Sequence, residues 1–554
     1  MTEMTYQLLI NKQKHNNIMK KFYIKENSNP NYVATICRVG EIHPIEGADK
    51  ICRTIVNGYD IVVGKDTKEG DIVVYVPVET AICDGFLAAN NLYEISEWER
   101  NANHVEVGEL LNKVEEAKAA GNAEKADELY KEAKSMVGYF NKRNRVRIVT
   151  LKGIASNGFV ASVKSLVNYD KDLANIDWES LVDTQFNHIG DEEFCWKYIP
   201  PVKEHPERNS QKHFNKRMKK VKKFDRLVEN QFAFHYDTVK LEGANIAKFL
   251  NPDSMVTITT KVHGTSIILA NILVNRKLSV WEKIKKFFGA KVQLTEYGNV
   301  YSSRSVIKNR YVNPGKGHDF YGVDIWGCVN RDFAPYLEKG MTVYGEVAGY
   351  LEGSDKMIQK VHDYGCKVGQ WKFMPYRITV TDELGNTTEW NVEQVDAWTH
   401  KLVEEHPELA DKVLFLEILY HGRCGDIFPE LDETMHWHEN FLQALKNDKE
   451  RFYMEETEHL CHLYEPEAVA AKELYEKAVS EKQAKKTIAK LKKEYEKWEN
   501  MRAPHEGVVI RIDDDPRAEA FKVKCNRHYM YEALQHDSGE VDIEELAGFD
   551  EENA

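Results

Sequence analysis

The sequence predicts an α+β chain, with helical segments inserted into two β-containing modules. Three observations carry that expectation. Short β-branched runs separated by turn residues fill the first part of the chain. Mixed strand and helix signals take over from about residue 236. Two stretches, Val105–Val137 and Glu467–Met501, are charged and helix-forming in composition.

Composition sets the outer bounds. A chain of 554 residues has room for about two to four domains. Hydrophobic residues make 42% and charged residues 30%, as in soluble globular proteins, which argues against wholesale disorder. No apolar run is long enough to span a bilayer, and the N-terminus lacks a signal-peptide core, so neither a membrane partner nor secretion is expected. The nine cysteines are scattered and odd in number, which fits reduced thiols and a cytoplasmic location. The 75 Lys+Arg against 89 Asp+Glu leave a net charge of −14. That would count against a nucleic-acid partner, but the charge is uneven. Lys203–Arg226 holds ten Lys/Arg and three Asp/Glu, whereas Asp537–Ala554 holds eight acids and no Lys or Arg. Local field governs attraction to phosphate, so nucleic acid stays open as a partner.

Residues 1–30 are polar and read as a leader or first strand. Tyr32–Val39, Ile51–Val56, Ile61–Gly64 and Ile72–Val78 read as strands, and Asn57-Gly58 as a hairpin turn. Strands at this spacing predict a small OB-like barrel over 31–165. It is interrupted at about 95–142 by a helical hairpin with Gly121-Asn122 near its middle. Residues 166–234, with Pro200-Pro201 and the run Lys212–Arg226, read as a basic linker. A second domain spans 235–535. Its strands are Val256–Thr260, Ile267–Val274, Thr342–Val347, Arg377–Thr381, Val508–Ile512 and Phe521–Val523, and a mostly helical insert occupies about 389–503. Residues 536–554 form an acidic tail. The chain has no 20–50-residue repeat and no phosphate-binding P-loop signature. His436, His438, His459, Cys461 and His462 do not match paired zinc spacing and read as surface or core residues.

The informative string is Thr259-Thr260-Lys261-Val262-His263-Gly264-Thr265-Ser266. A lysine ending a β-branched strand is held at the mouth of a sheet, and Gly264 permits a tight turn into the next strand. Such a lysine acts as a nucleophile once it is a free amine. Four further strings accompany it: Ser302-Ser303-Arg304, Val343-Tyr344-Gly345-Glu346-Val347, Glu506-Gly507-Val508-Val509-Ile510-Arg511, and Phe521-Lys522-Val523-Lys524. Lys522 and Lys524, two apart on a strand, share a face, where they repel unless an anion such as a triphosphate lies between them.

In this order the five strings resemble motifs I, Ia, III, IV and V of the covalent nucleotidyltransferases, the polynucleotide ligases and mRNA capping enzymes. Tyr376 falls at the family's motif IIIa. His263, where DNA ligases and capping enzymes usually have Asp, makes the string similar to RNA ligases. The leading β block, with Gly40–Asp49 and Lys152–Gly158, resembles the N-terminal OB module of Deinococcus-type ATP-dependent RNA ligases. Thirty residues follow Lys524, too few for the OB domain that DNA ligases and capping enzymes place there.

The resemblance implies a ligase-type nucleotidyltransferase domain of antiparallel sheets and helices. Lys261 would attack the α-phosphate of ATP to give lysyl-AMP. AMP would pass to a 5′-phosphate, and a 3′-OH would then seal the strand. Lys522 and Lys524 would neutralise phosphate charge. Glu346 and Glu506 would hold Mg²⁺ or Mn²⁺. Thr260, Val262, Ser266 and Arg304 would line the nucleotide, and Tyr376 would stack on adenine. Ser266 stands where many relatives have Arg or Asn. The substrate implied is RNA or an RNA-containing duplex with 5′-phosphate and 3′-OH ends, and no obligatory protein partner is evident. A DNA ligase, a GTP-using capping enzyme and an RNA-binding protein without chemistry remain the alternatives.

Overall fold

The computed structural model describes residues 21–200, 226–234, 238–304, 306–308, 323–431, 437–454, 456–513 and 520–538. The basic run Lys203–Arg226, except Arg226 itself, lies outside them, as do residues 1–20, His436 and the acidic tail beyond Ser538. The chain is mixed α+β with several antiparallel sheets. It divides into two compact units. The first comprises Met1–Ile199, Val239–Pro252 and Phe428–Ala444; the second comprises Pro200–Thr238, Asp253–Ile427 and Leu445–Ala554.

In the first unit the Asn57-Gly58 turn forms as its residues dictate. Both central positions are left-handed, with φ 53 and 81, and Val56 pairs with Tyr59 across the hairpin. Strands Ile51–Val56 and Tyr59–Gly64 alternate between buried and half-buried positions. Together with Ala34–Arg38 and Ile72–Val76 they enclose a core that includes Cys37, Val56, Tyr59, Ile61, Val73 and Tyr75. The expected barrel does not close among the described residues. His43–Pro44, Ile51–Val56 and Tyr59–Gly64 make one sheet. Phe159–Ser162, Ile72–Val76, Ala34–Arg38 and Gln185–Phe186 make another. The free edge of Ala34–Arg38 is thus taken by Gln185–Phe186.

That pairing also corrects the start of the linker. Leu173, Leu181, Phe186 and Phe194 are fully buried, so the stretch from 166 to 199 folds into the first unit. The helical insert lies where expected, as His104–Ala119 and Ala123–Ser135. Gly121 turns the chain at φ 74, and the Asn122 side chain caps the Lys125 amide at 3.1 Å. Val107, Val114, Ala117, Ala126 and Ala133 form its buried face.

Glu242 is buried in this unit and accepts a hydrogen bond from Asn57 Nδ2 at 2.9 Å. Burial pushes its carboxyl up to about 7, against the pull of Lys240 and Asn57. A raised carboxyl stabilises the fold below its unfolded value of 4.5, and that contribution is lost as pH rises through about 7. Glu242→Gln is therefore expected to gain stability over the parent across that interval, by up to about 3 kcal/mol. Thermal melts at a series of pH values measure this; parallel pH curves for the two proteins would refute it.

The second unit holds two sheets. In one, Thr295–Ser302, Thr265–Asn275, Met341–Gly349, Trp371–Thr381 and Thr387–Glu389 lie side by side, all antiparallel. Trp326, Val329 and Phe333 of helix Ile325–Phe333 pack against this sheet, with Val395 and Leu402 of helix Val392–Glu405, on Leu269, Val343, Phe373 and Ile378. A bulge falls between Tyr344 and Gly345, which pair with Arg377 and Pro375, so Tyr376 is the extra residue at the bulge. Pro375, which lacks an N–H, sits at that irregularity.

In the other sheet, Ala520–Lys524, Gly507–Ile512, Met255–Thr260 and Ile418–Arg423 are neighbours in that order. Ile418–Arg423 is a strand inside a stretch expected to be mostly helical. None of its side chains is fully buried, so its backbone pairing rather than a hydrophobic pattern places it. Helices Glu465–Ser480 and Lys485–Met501 are adjacent, with Tyr475 and Tyr495 stacked 6.2 Å apart.

Candidate active site

Strand register assembles the site. Thr260 pairs with Val508, and Gly507 pairs with Lys524, so the ends of three neighbouring strands fall on one level. The Lys261 amide donates to the Gly507 carbonyl at 2.9 Å, which carries the alignment one residue past the strand. Lys261, Glu506 and Lys524 therefore converge although 245 positions separate the first two.

Glu506 is the hub. Its Oε2 accepts from Lys261 Nζ at 2.9 Å, and its Oε1 lies 3.1 Å from Lys524 Nζ. The Glu506 side chain is only 2% exposed, whereas that of Lys261 keeps 24%. The carboxylate is sealed, and the amine it holds remains reachable. Burial pushes the Glu506 carboxyl up, but Lys261 and Lys524 outweigh it and hold the group well below the usual range. Lys524 also donates to Glu532 Oε1 at 2.6 Å. Burial favours its neutral form, but Glu532 and Glu506 prevail and keep it charged well above its ordinary value.

A histidine layer lies beneath. His263 Nδ1 is 3.8 Å from Glu506 Oε2, and His528 Nε2 is 3.8 Å from Glu506 Oε1 and 3.2 Å from Glu532 Oε1. The rings of His263 and His362 are 4.8 Å apart, those of His263 and His528 4.9 Å. Burial drives His263 well below its ordinary value and His362 down to about 4, so both are neutral at physiological pH.

Glu346 anchors the other side of the lysine loop. It pairs in register with Ser266, accepts the Gly264 amide at 3.2 Å on Oε1, and accepts Ser266 Oγ at 3.4 Å on Oε2. The His263 amide donates to the Tyr364 hydroxyl at 2.7 Å, and Gln359 Nε2 donates to the Gly264 carbonyl at 2.8 Å. Gly264 does not have the left-handed backbone of a tight-turn glycine. It is needed for close approach: a Cβ there would stand 2.3 Å from the Val347 carbonyl oxygen.

No protein-family model matches the sequence, and no curated protein matches it. Among solved structures the chain is similar to Naegleria gruberi RNA ligase with PPi, at 15% identity and a TM-score of 0.43, over 90% of this chain and 98% of that one. It is also similar to an apo mutant of that ligase, at 14% identity and a TM-score of 0.44, over 91% of this chain and 99% of that one. A mutant of the same ligase with AMP and Mn gives 14% identity and a TM-score of 0.43, over 90% and 98%.

The structure brings Lys261, Glu506 and Lys524 together, and places Ser266 and Glu346 beside the lysine loop. Thr260 is buried, with its amide bonded to the Glu417 carbonyl at 3.1 Å. Val262 is buried in a cluster with Ala348, Tyr364 and Met374, and Tyr376 is partly buried against that same cluster. Lys522 is partly buried opposite Val509, two residues from Lys524 on one strand face. Arg304 is partly buried in the turn that joins Ser302 to Ile307. Sequence reading missed Glu532, His528 and His362. The one available signal was His528-x-x-x-Glu532, an i,i+4 pair on helix Asn526–Ser538 next to Lys524.

The donors suit a divalent metal unequally. Glu346 accepts the Gly264 amide and the Ser266 hydroxyl, and its carboxylate is the hard oxygen donor that a divalent metal ion or its waters would take. Both Glu506 oxygens already face ammonium groups, which favours contact through water over direct ligation. Among the described residues, His263, Glu506 and His528 have ligand atoms within 4.8 Å of one another.

Proposed function

We propose that this chain is an ATP-dependent RNA ligase with Lys261 as its covalent nucleophile. The observation that carries the reading is the double pairing of one sealed carboxylate, Glu506, with the reachable Lys261 amine and the buried Lys524 ammonium. A structural salt bridge needs only one cation. With Glu532 also on Lys524, two cations and two carboxylates balance, and the cluster holds the reachable Lys261 amine in a fixed place at the mouth of the site, where it can meet a triphosphate.

Lys261 Nζ must lose a proton before it attacks. Glu506, held ionised by its cations, is a poor acceptor, so it orients the amine while the proton leaves to solvent. A P–N bond forms between Nζ and the α-phosphorus, the P–O bond to the β-phosphate breaks, and pyrophosphate leaves. Lys524, with Lys522 beside it on the strand, neutralises the phosphate charge. Thr260, Val262 and Tyr376 shape the nucleotide pocket, and Arg304 meets phosphate oxygens. Mg²⁺ or Mn²⁺ near Glu346 and Glu506 would supply further charge neutralisation at the phosphates. AMP then passes to the 5′-phosphate of a nucleic-acid end, and a 3′-OH displaces it. The favoured substrate is a nick in duplex with RNA on the 3′-OH side. The reading includes an OB-like role for the leading β unit in holding that duplex, by analogy with Deinococcus-type ligases.

Intact-mass and peptide mapping after incubation with ATP and Mg²⁺ or Mn²⁺ tests this. The expected result is one added AMP on Lys261, removed by pyrophosphate and absent in Lys261→Ala. Labelling only by GTP, or RNA binding without any adduct, would overturn the assignment.

A further inference from the structure

The hairpin Thr265–Asn275/Thr295–Ser302 carries an eight-residue helix, Val280–Phe287, in its connecting loop. The helix is well built. Ser279 caps it through a reciprocal pair, with the Glu282 amide donating to Ser279 Oγ at 3.3 Å and the Ser279 amide donating to Glu282 Oε2 at 2.8 Å. Its apolar residues fall at 280, 281, 284 and 287, with Phe288 just beyond, the i, i+1, i+4, i+7, i+8 spacing of one helix face. That face is uncovered. Val280 is 72% exposed, Trp281 75%, Phe287 85% and Phe288 79%. Soluble proteins rarely leave so contiguous an aromatic and aliphatic patch in water without a use for it.

The charge around the patch says what covers it. Arg276–Leu294 holds six Lys/Arg and a single acid, Glu282, which pairs with Arg276. Lys283 and Lys285 flank the apolar stripe on either side, and neither they nor Lys286 and Lys291 form an ion pair among the described residues. An apolar stripe bordered by lysines complements a surface that is anionic outside and apolar just beneath.

We propose that this helix docks the protein onto an anionic lipid surface, lying in the headgroup plane with Trp281, Ile284, Phe287 and Phe288 inserted. The lack of a spanning segment, from which the sequence predicts no membrane partner, excludes crossing only: no helix among the described residues is long and apolar enough to cross a membrane, and this one would lie on its surface instead. Single-stranded nucleic acid fits less well, because Val280 and Ile284 offer no ring for a base to stack on. Position agrees. Thr265, at one end of an 11-residue strand, adjoins the lysine loop, and the helix follows the other end. At about 3.3 Å per residue it lies on the order of 35 Å along the hairpin from Lys261. The inference stands independently of the ligase reading.

Co-flotation of the full chain with vesicles of phosphatidylcholine alone, or mixed with phosphatidylglycerol, tests it. Flotation is expected with the anionic vesicles only. F287D/F288D should abolish it, and K283Q/K285Q/K286Q should weaken it by about fivefold for each lysine removed. Both variants should keep the melting temperature of the parent, since these side chains are exposed. Failure of the parent to float, or equal flotation by F287D/F288D, would overturn the proposal. So would a parent that ignores vesicles yet loses RNA affinity in F287D/F288D, or one that is a dimer which this variant splits.

Discussion

Glu506→Gln is expected to abolish most activity and to weaken the fold. The substitution keeps size and one acceptor but removes the charge shared by Lys261 and Lys524. Lys524 retains Glu532, so its ammonium stays paired; Lys261 has no second carboxylate partner among the described residues. The amine then loses its aim, and misplacing a reacting group by about 1 Å costs on the order of 10²-fold in rate. Breaking a buried ion pair from one side costs about 3–5 kcal/mol, with the lower end expected because Gln still accepts a hydrogen bond. The pH dependence has a definite sign. Glu506 and Glu532 are held below their ordinary value of 4.5, so their stabilising effect is present above that pH and lost as pH falls. The variant should therefore be less stable than the parent near neutrality, and the difference should shrink in acid. Adduct formation by mass spectrometry and melts over a pH series read both effects. Full adduct yield in Glu506→Gln would remove Glu506 from the mechanism.

The contrast between Glu506 and Glu532 explains what the sequence made legible. Glu506 opens a β-branched run and precedes a glycine, and its register with Lys261 follows from simple antiparallel pairing of two recognisable strands. Glu532 lies on a polar helix whose docking onto Lys524 depends on tertiary packing that local pattern does not encode. Ile418–Arg423 was hidden for a similar reason: a strand with half-exposed side chains carries no alternation to read. The Asn57-Gly58 hairpin and the Gly121-Asn122 helical turn were legible because their backbone conformations demand particular residues. The stretch 166–199 failed in the opposite sense. Its buried Leu173, Leu181, Phe186 and Phe194 were spaced too irregularly to stand out beside the basic run.

Gly264→Ala is expected to slow AMP transfer to Lys261, the proposed nucleophile, severely, although it removes no functional group. The added methyl would meet the Val347 carbonyl oxygen at 2.3 Å and Glu346 Cγ at 2.8 Å. Val347 belongs to the central strand Met341–Gly349, which is paired on both sides and cannot withdraw. The lysine loop must move instead. It would lose the Gly264 amide hydrogen bond to Glu346 and the Gln359 bond to the Gly264 carbonyl. Overpacking of this kind costs about 1–3 kcal/mol, and the accompanying shift of Lys261, three residues away, should lower adduct formation by on the order of 10²-fold or more. The discriminating measurement is the rate of AMP transfer to Lys261 in Gly264→Ala, beside a melt showing that the variant is still folded. A folded variant with the parent's rate would mean that the loop tolerates displacement, and that its close packing against Glu346 does not position the amine.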